Sequence, residues 1–233
     1  MERILKISIL YKVLRIIIGL LFILNVVGIF LVNDDSQQSR LAFNAFQTFA
    51  FLLVSTIPSV IEKKGNLNIP DFMEVIFIIM CICHFIFGEM LEFFKHVSWW
   101  DSLLHTFSGS MVAILGFSLV NSLNIENKTM NIPPIFVAIF AICFSVTIGV
   151  LWEIVEFLID YLTGSNMQRY RHSITNVDFV GRKALLDTMK DLILDTIGAC
   201  IISIIGYLDL KKQKTAFKRW TIKKRTNQIE SNT

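Results

Sequence analysis

The chain has 233 residues, 54% hydrophobic and 18% charged, with a mean hydropathy of +0.59 and a formal net charge of +3. Soluble domains carry about 25% charged residues. So few charges beside 20 Phe, 11 Gly and 4 Pro exclude a disordered, collagen-like or ordinary water-soluble chain. With no solenoid-period repeat visible, the composition points to one lipid-embedded helical domain, residues 1–210, and a basic tail, 211–233.

A helix needs about 20 apolar residues to cross a bilayer. Six stretches reach that length, near 13–32, 41–61, 72–94, 101–122, 134–160 and 186–208. The fold class expected is therefore all-α, a polytopic bundle of about six transmembrane helices. The first stretch follows Arg3, Lys6, Lys12 and Arg15 as a signal peptide would. Val32-Asn33-Asp34 offers no small-residue cleavage site, however, so it reads as a retained anchor helix. Pro58 falls near the end of the second span, where a kink or stop is tolerated, and Pro133 and Pro134 open the fifth in the favoured first turn. Cys81, Cys83, Cys143 and Cys200 lie inside apolar stretches and read as small packing residues. Cys81 and Cys83, two apart, point to different sides of a helix.

Orientation follows from Lys and Arg beside the spans. With a cytoplasmic N-terminus, that side holds Arg3, Lys6, Lys12, Arg15, Lys63, Lys64, Lys128 and the eight basic residues of the tail. The other side holds Arg40, Lys95, Arg169, Arg171, Arg182 and Lys183. The excess places both termini in the cytoplasm of a bacterial inner membrane, as an even number of spans requires. The tail, Lys211–Arg225, with Phe217 and Trp220 interleaved, then reads as a flank attracted to anionic lipid. No nucleic-acid module accompanies it. Trp99 and Trp100 read as an interfacial anchor on the outer side.

Nine acidic residues fall within or at the ends of four spans: Glu89 and Glu92 on the third, Asp101 on the fourth, Glu153, Glu156 and Asp160 on the fifth, and Asp187, Asp191 and Asp195 on the sixth. Spacings of three, four, seven and eight place each set on one helical face, and His105 follows Asp101 by one turn. Ser108 and Gly109 continue that face. Spans three and five carry their acids near their C-terminal ends, spans four and six near their N-terminal ends, so all converge toward one face of the membrane. The rise from Asp187 to Asp195 is about 12 Å, and from Glu153 to Asp160 about 10 Å, so the sets overlap in height. Each ionised group at membrane depth costs about 2.5–3.5 kcal/mol even on insertion scales. Lys190 is the one firm cation in these spans, with His84 and His105 as further candidates.

A divalent ion answers that imbalance, since carboxylate oxygens with one imidazole suit Mg, Mn, Fe or Zn, and the ligand number has room for two ions. The candidate ligands are Glu89, Glu92, His105, Glu153, Glu156, Asp187, Asp191 and Asp195; Asp101, His105 and Glu153 are the candidate catalytic groups. A hydrated vestibule, with Asp101, Asp160 and Asp187 near helix ends, is the plainer alternative. Glu74 and Asp209 read as interfacial charges and His84 as a packed side chain.

The elements Gly88-Glu89-Met90-Leu91-Glu92, Trp100-Asp101 through His105 to Gly109, Leu151-Trp152-Glu153-Ile154-Val155-Glu156 and Asp187-Thr188-Met189-Lys190-Asp191-Leu192 together resemble a family of uncharacterised multi-span bacterial inner-membrane proteins that includes YjdF. The likeness spans roughly residues 70–208 and implies fold and membrane location without an activity. A looser likeness to VanZ-like proteins, through Asp101/His105, Glu153/Glu156 and Asp195-Thr196-Ile197-Gly198, favours a site facing the cell envelope. The Asp187/Asp191/Asp195 ladder is similar to the last aspartates of CDP-alcohol phosphotransferases, but that family's preceding Asp-Gly and Ala-Arg elements are absent. No Glu-x-x-His pair, His-Glu-x-x-His, Gly-x-Ser-x-Gly or P-loop occurs. The expected function is a metal-dependent enzyme acting on a lipid or phosphate-bearing envelope substrate at the outer membrane face, with Arg169, Arg171 and Arg182 available to a phosphate headgroup. A cation- or proton-coupled transporter and a structural membrane protein are the alternatives.

Overall fold

The structure, a computed structural model, describes residues 2–126, 132–212 and 222–224. Among them, six helical segments are long and apolar enough to cross a membrane: Tyr11–Leu31, Asp35–Gly65, Asp71–Met90, Trp100–Ser122, Pro134–Thr163 and Gly181–Lys211. The protein is an all-α bundle embedded in lipid through these segments. Ile201, Ile204 and Ile205, each at least half exposed, show the outward apolar surface that lipid as solvent permits. The chain divides into two compact units, residues 1–94 with 222–233, and 95–221.

In the first unit, α1 (Glu2–Leu31) packs on α2 (Asp35–Val54). The junction is built from polar side chains. Asp34 caps α2 through Ser36 N, and the Gln38 amide donates to the Ile29 and Val32 carbonyls that end α1. The second expected span is broken at Ser55–Thr56, and a separate helix α3 (Ile57–Gly65) begins there with Pro58 in its first turn. Arg15 on α1 donates to the Ser55 carbonyl at 2.8 Å, satisfying a group that the break leaves without an intrahelical partner. A two-residue strand β1 (Leu67–Asn68) pairs antiparallel with β2 (Lys223–Lys224), a pairing with no periodic signal in so short a run. The third span starts as α4 (Asp71–Cys81) and continues as a π-helix, Ile82–Met90, ending at Glu92 with φ +59°. Tyr11, Leu14, Ile18, Phe51, Ile78, Cys81 and Phe85 form this unit's core, with Phe51 stacked on Phe85 at 5.0 Å. His84 is packed edge-on against Phe85 and Phe94. Glu74, expected at the interface, is buried.

A short turn, α5 (Phe93–His96), precedes the second unit, a three-helix bundle of α6 (Trp100–Glu126), α7 (Pro134–Thr163) and α8 (Leu186–Lys211). Each helix packs against the other two. Small residues set the spacing. Ala113, Ala141 and Ala199 are fully buried, and a Cβ added at Gly198 would lie 2.8 Å from Ser110 Oγ. Such close backbone approach is how helices associate where lipid removes the hydrophobic drive. Ser145 Oγ on α7 donates to the Gly109 carbonyl on α6 at 2.8 Å. Below this seam Phe117, Val120, Val137, Ala138 and Ala141 form an apolar core. Asp209, expected at an interface, is buried on α8.

The segment between α7 and α8 is a folded hairpin. An isolated bridge joins Arg171 to Asp178, and backbone bonds run from His172 to Val177 and from Phe179 to Tyr170. Two apolar side chains point outward, Ile174 at the tip at 86% exposure and Val180 just after the hairpin at 89%. A 3₁₀ turn, Gly181–Leu185, leads into α8.

Candidate metal centre

The second unit brings its acids together at the end where α7 finishes and α8 begins. Asp101 and His105 on α6, Glu153 and Glu156 on α7, and Asp191 and Asp195 on α8 are all buried, Asp191 to 2% and Asp195 to 3% exposure. Asp187 is half-buried one turn above Asp191. Nothing in the local sequence is unusual for a helix. The carboxylates sit at i,i+3 and i,i+4 spacings, and the helices turn those faces toward one another. Lipid-facing positions between them are apolar, such as Leu151, Ile154, Met189 and Ile193.

Asp101, His105 and Asp191 each offer a ligand atom within 4.8 Å of the other two. His105 Nε2 lies 3.7 Å from Asp101 Oδ1, and its Nδ1 lies 3.3 Å from Asp195 Oδ2. Ser108 Oγ is 3.0 Å from Asp195 Oδ1 and 2.9 Å from the His105 carbonyl. Asp101 Oδ2, Asp191 Oδ1 and Glu153 Oε1 are buried with no hydrogen-bond partner. Buried polar atoms are nearly always satisfied, so these three carboxylate oxygens, of which only Asp101 Oδ2 has a cation near it among the described residues (Arg169 Nη1 at 3.6 Å), make a cluster capable of holding a metal ion. The donor set fits one: two carboxylates and an imidazole are what a divalent first-row ion or Mg takes. Ligands about 2.0–2.2 Å from one ion stand roughly 3–3.6 Å apart, so the trio, within 4.8 Å, would close up by as much as about 1–2 Å on binding.

The loop after α7 completes the wall. Asp160 accepts from Ser165 Oγ at 2.6 Å, Met167 N at 2.7 Å and Gln168 N at 2.9 Å. That makes Asp160 the anchor of the loop. Arg171 donates to the Gly164 and Ser165 carbonyls past the α7 C-terminus, and Asn166 exchanges two bonds with the Arg171 backbone. So held, Gln168 reaches Glu153 Oε2 at 3.4 Å and Thr188 Oγ1 at 3.0 Å. Arg169 turns inward, 3.6 Å from Asp101 and 3.8 Å from Asp187. Arg169, in left-handed backbone at φ +46°, joins Lys190 among the cations whose fields reach Asp187. Helical spacing singles out Lys190 as the firm cation and gives no sign of Gln168. A loop residue folded back through a carboxylate anchor leaves no periodic trace, and only the nearness of Asp160 and Arg169 in the chain hinted at it.

Glu156 accepts from Trp152 Nε1 at 2.8 Å, one turn away on its own helix. Glu89 and Glu92 belong to the first unit, where both are half-buried and Glu92 pairs with Arg40 at 3.8 Å.

Fold and site together define a multi-pass membrane protein with a buried carboxylate–imidazole centre capable of holding a metal ion. More particularly, residues 13–212 match the family described as predicted membrane protein (DUF2238), and the chain belongs to it. It is 31% identical over 159 residues to an uncharacterised protein of Thermotoga maritima, an alignment covering 68% of this chain and 74% of that one. No solved structure matches the chain.

Proposed function

We propose that the protein is a metal-dependent membrane enzyme that hydrolyses a phosphate-bearing lipid or envelope substrate at the outer face of the cytoplasmic membrane, with both termini cytoplasmic. The observation that carries the reading is the buried trio Asp101, His105 and Asp191, two of its carboxylate oxygens lacking any hydrogen-bond partner. These three residues would hold the ion, and a bound divalent ion would supply Lewis acidity and charge neutralisation. Glu153, with Oε2 held by Gln168 and Oε1 unpartnered, is the general base: it takes a proton from water as the water oxygen bonds to the reacting centre, then returns it to the leaving oxygen. Arg169, which faces Asp101 and Asp187, is the guanidinium placed to meet a phosphate. Asp187 holds Arg169 in place, and Glu156 adds negative charge beside Glu153. Glu89 and Glu92 stay outside this proposal. The tail from Lys211 to Arg225 would lie against anionic headgroups; its residues 213–221 and 225 fall outside the described ones.

A transporter is the second reading, favoured by one observation. Buried polar groups continue down α8 from Asp191 through Ser203 to Asp209, about 27 Å of helix, close to a bilayer's apolar thickness of about 30 Å. Against it, Ala199 is fully buried between them and Phe117 closes on Gly206, so the seam is packed rather than open. The deciding experiment reconstitutes purified protein with Mn²⁺ or Zn²⁺ and offers phosphorylated lipids in mixed micelles. Chelator-sensitive phosphate release that is lost in Glu153→Gln supports the enzyme. Metal or proton flux in proteoliposomes without any hydrolysis overturns it.

A further inference from the structure

The four carboxylates around His105 are not equivalent, and their hydrogen bonds sort them. Asp195 has a donor in reach at both oxygens: the Ser108 hydroxyl, shared with the His105 carbonyl, at Oδ1, and His105 Nδ1 at Oδ2. Asp101 and Asp191 each keep a buried oxygen that accepts no hydrogen bond, the one on Asp101 facing Arg169 at 3.6 Å. The imidazole is asymmetric in the same sense. Its Nδ1 is within hydrogen-bond reach of Asp195 at 3.3 Å, whereas Nε2, at 3.7 Å from Asp101 Oδ1, is beyond it. Glu153, the remaining carboxylate, has one oxygen on Gln168.

We propose that Asp195 is a positioning residue that holds His105 as its Nδ1–H tautomer, so that Nε2, Asp101 and Asp191 are the ligand atoms and Asp195 is not one. This rests on the metal-centre reading above and refines it. A carboxylate accepting from the nitrogen remote from the ion fixes the ring's tautomer and orientation and makes the ligating nitrogen more basic. The backbone is shaped for that contact. A Cβ at Gly149 of α7 would lie 2.6 Å from Asp195 Oδ2, and one at Gly109 of α6 would lie 2.6 Å from Asp195 Cα. Glycine at both places lets α6 and α7 close on Asp195, so that any side chain there would press on it. Ser108 restrains it from the other side.

The test uses full-length protein in detergent, labelled with ¹⁵N-histidine, with Zn²⁺ alone as the probe. Its ring ¹⁵N shifts, assigned to His105 by their absence in His105→Gln, report which nitrogen binds zinc. The expected result is zinc on Nε2 with Nδ1 protonated. In Asp195→Asn, whose amide donates as well as accepts, zinc affinity falls about 10–100-fold and the single tautomer is lost; Asp195→Glu restores part of both. If Asp195→Asn does not fold, Gly149→Ala, which intrudes on the carboxylate alone, replaces it with the same expected loss. Zinc on Nδ1 in the wild type, or unchanged affinity and tautomer in the variants, overturns the assignment while leaving the metal centre standing. A wild-type protein that binds no zinc overturns both.

Discussion

Gly109→Ala is the sharpest single perturbation of the bundle. The added methyl would stand 2.6 Å from Asp195 Cα, where ordinary contact begins near 3.4 Å. The obstacle is backbone, so no rotamer change relieves it and α6 and α8 must part by roughly 1 Å. Overpacking of this kind costs about 1–3 kcal/mol. The same displacement carries the 3.3 Å contact between His105 and Asp195 past hydrogen-bonding distance. Stability and metal affinity should therefore fall together. Unfolding followed in detergent, together with calorimetric Mn²⁺ titration, measures both. The Gly19→Ala control, where a Cβ meets nothing within 4 Å, should change neither. A Gly109→Ala protein as stable and as metal-competent as the wild type would refute the claim that this helix contact builds the site.

Replacing Asp160 with Ala removes three hydrogen bonds to the loop, each worth about 1.5–3 kcal/mol when charge-assisted. Hydrogen exchange across 164–171 should accelerate markedly while α8 stays protected. Arg169→Gln removes the cation facing Asp101 and Asp187, so divalent-ion affinity should rise several-fold in titration calorimetry as phosphate inhibition weakens; lower affinity would contradict the competition. Saturating Mn²⁺ at about 100 times its Kd should stabilise the wild type by about 2.7 kcal/mol, seen as a raised Tm that a chelator abolishes and that Asp191→Asn lacks. Val180→Trp should fluoresce as a lipid-interface residue and be quenched by brominated lipid, because Ile174 and Val180 are large apolar side chains left exposed beside the end of α7. Quenching by aqueous iodide alone would refute that placement.

The spans were legible because lipid makes length and apolarity decisive. Their interruptions were less so: Pro58 marked a stop, but not that Arg15 reaches across from α1 to take up the Ser55 carbonyl at the break. The π-helix over Ile82–Met90 has no pattern of its own. In the site, the spacing of Asp101/His105, Glu153/Glu156 and Asp187/Asp191/Asp195 was sufficient to place each on one face, and their expense in lipid argued that the faces meet. What spacing could not carry was the division of labour. Asp160 is committed to the loop and Asp195 to His105 because of backbone amides and glycines from elsewhere in the fold. Glu74 and Asp209 are buried although hydropathy places them at helix ends by the interface.

Elemental analysis of the purified wild-type protein after Mn²⁺ or Zn²⁺ reconstitution, beside Asp101→Asn and Asp191→Asn, tests the central claim most directly. One tightly held divalent ion per chain in the wild type, absent from both folded variants, is the result this account predicts. A folded wild type that retains no ion, or variants that retain it in full, would contradict it.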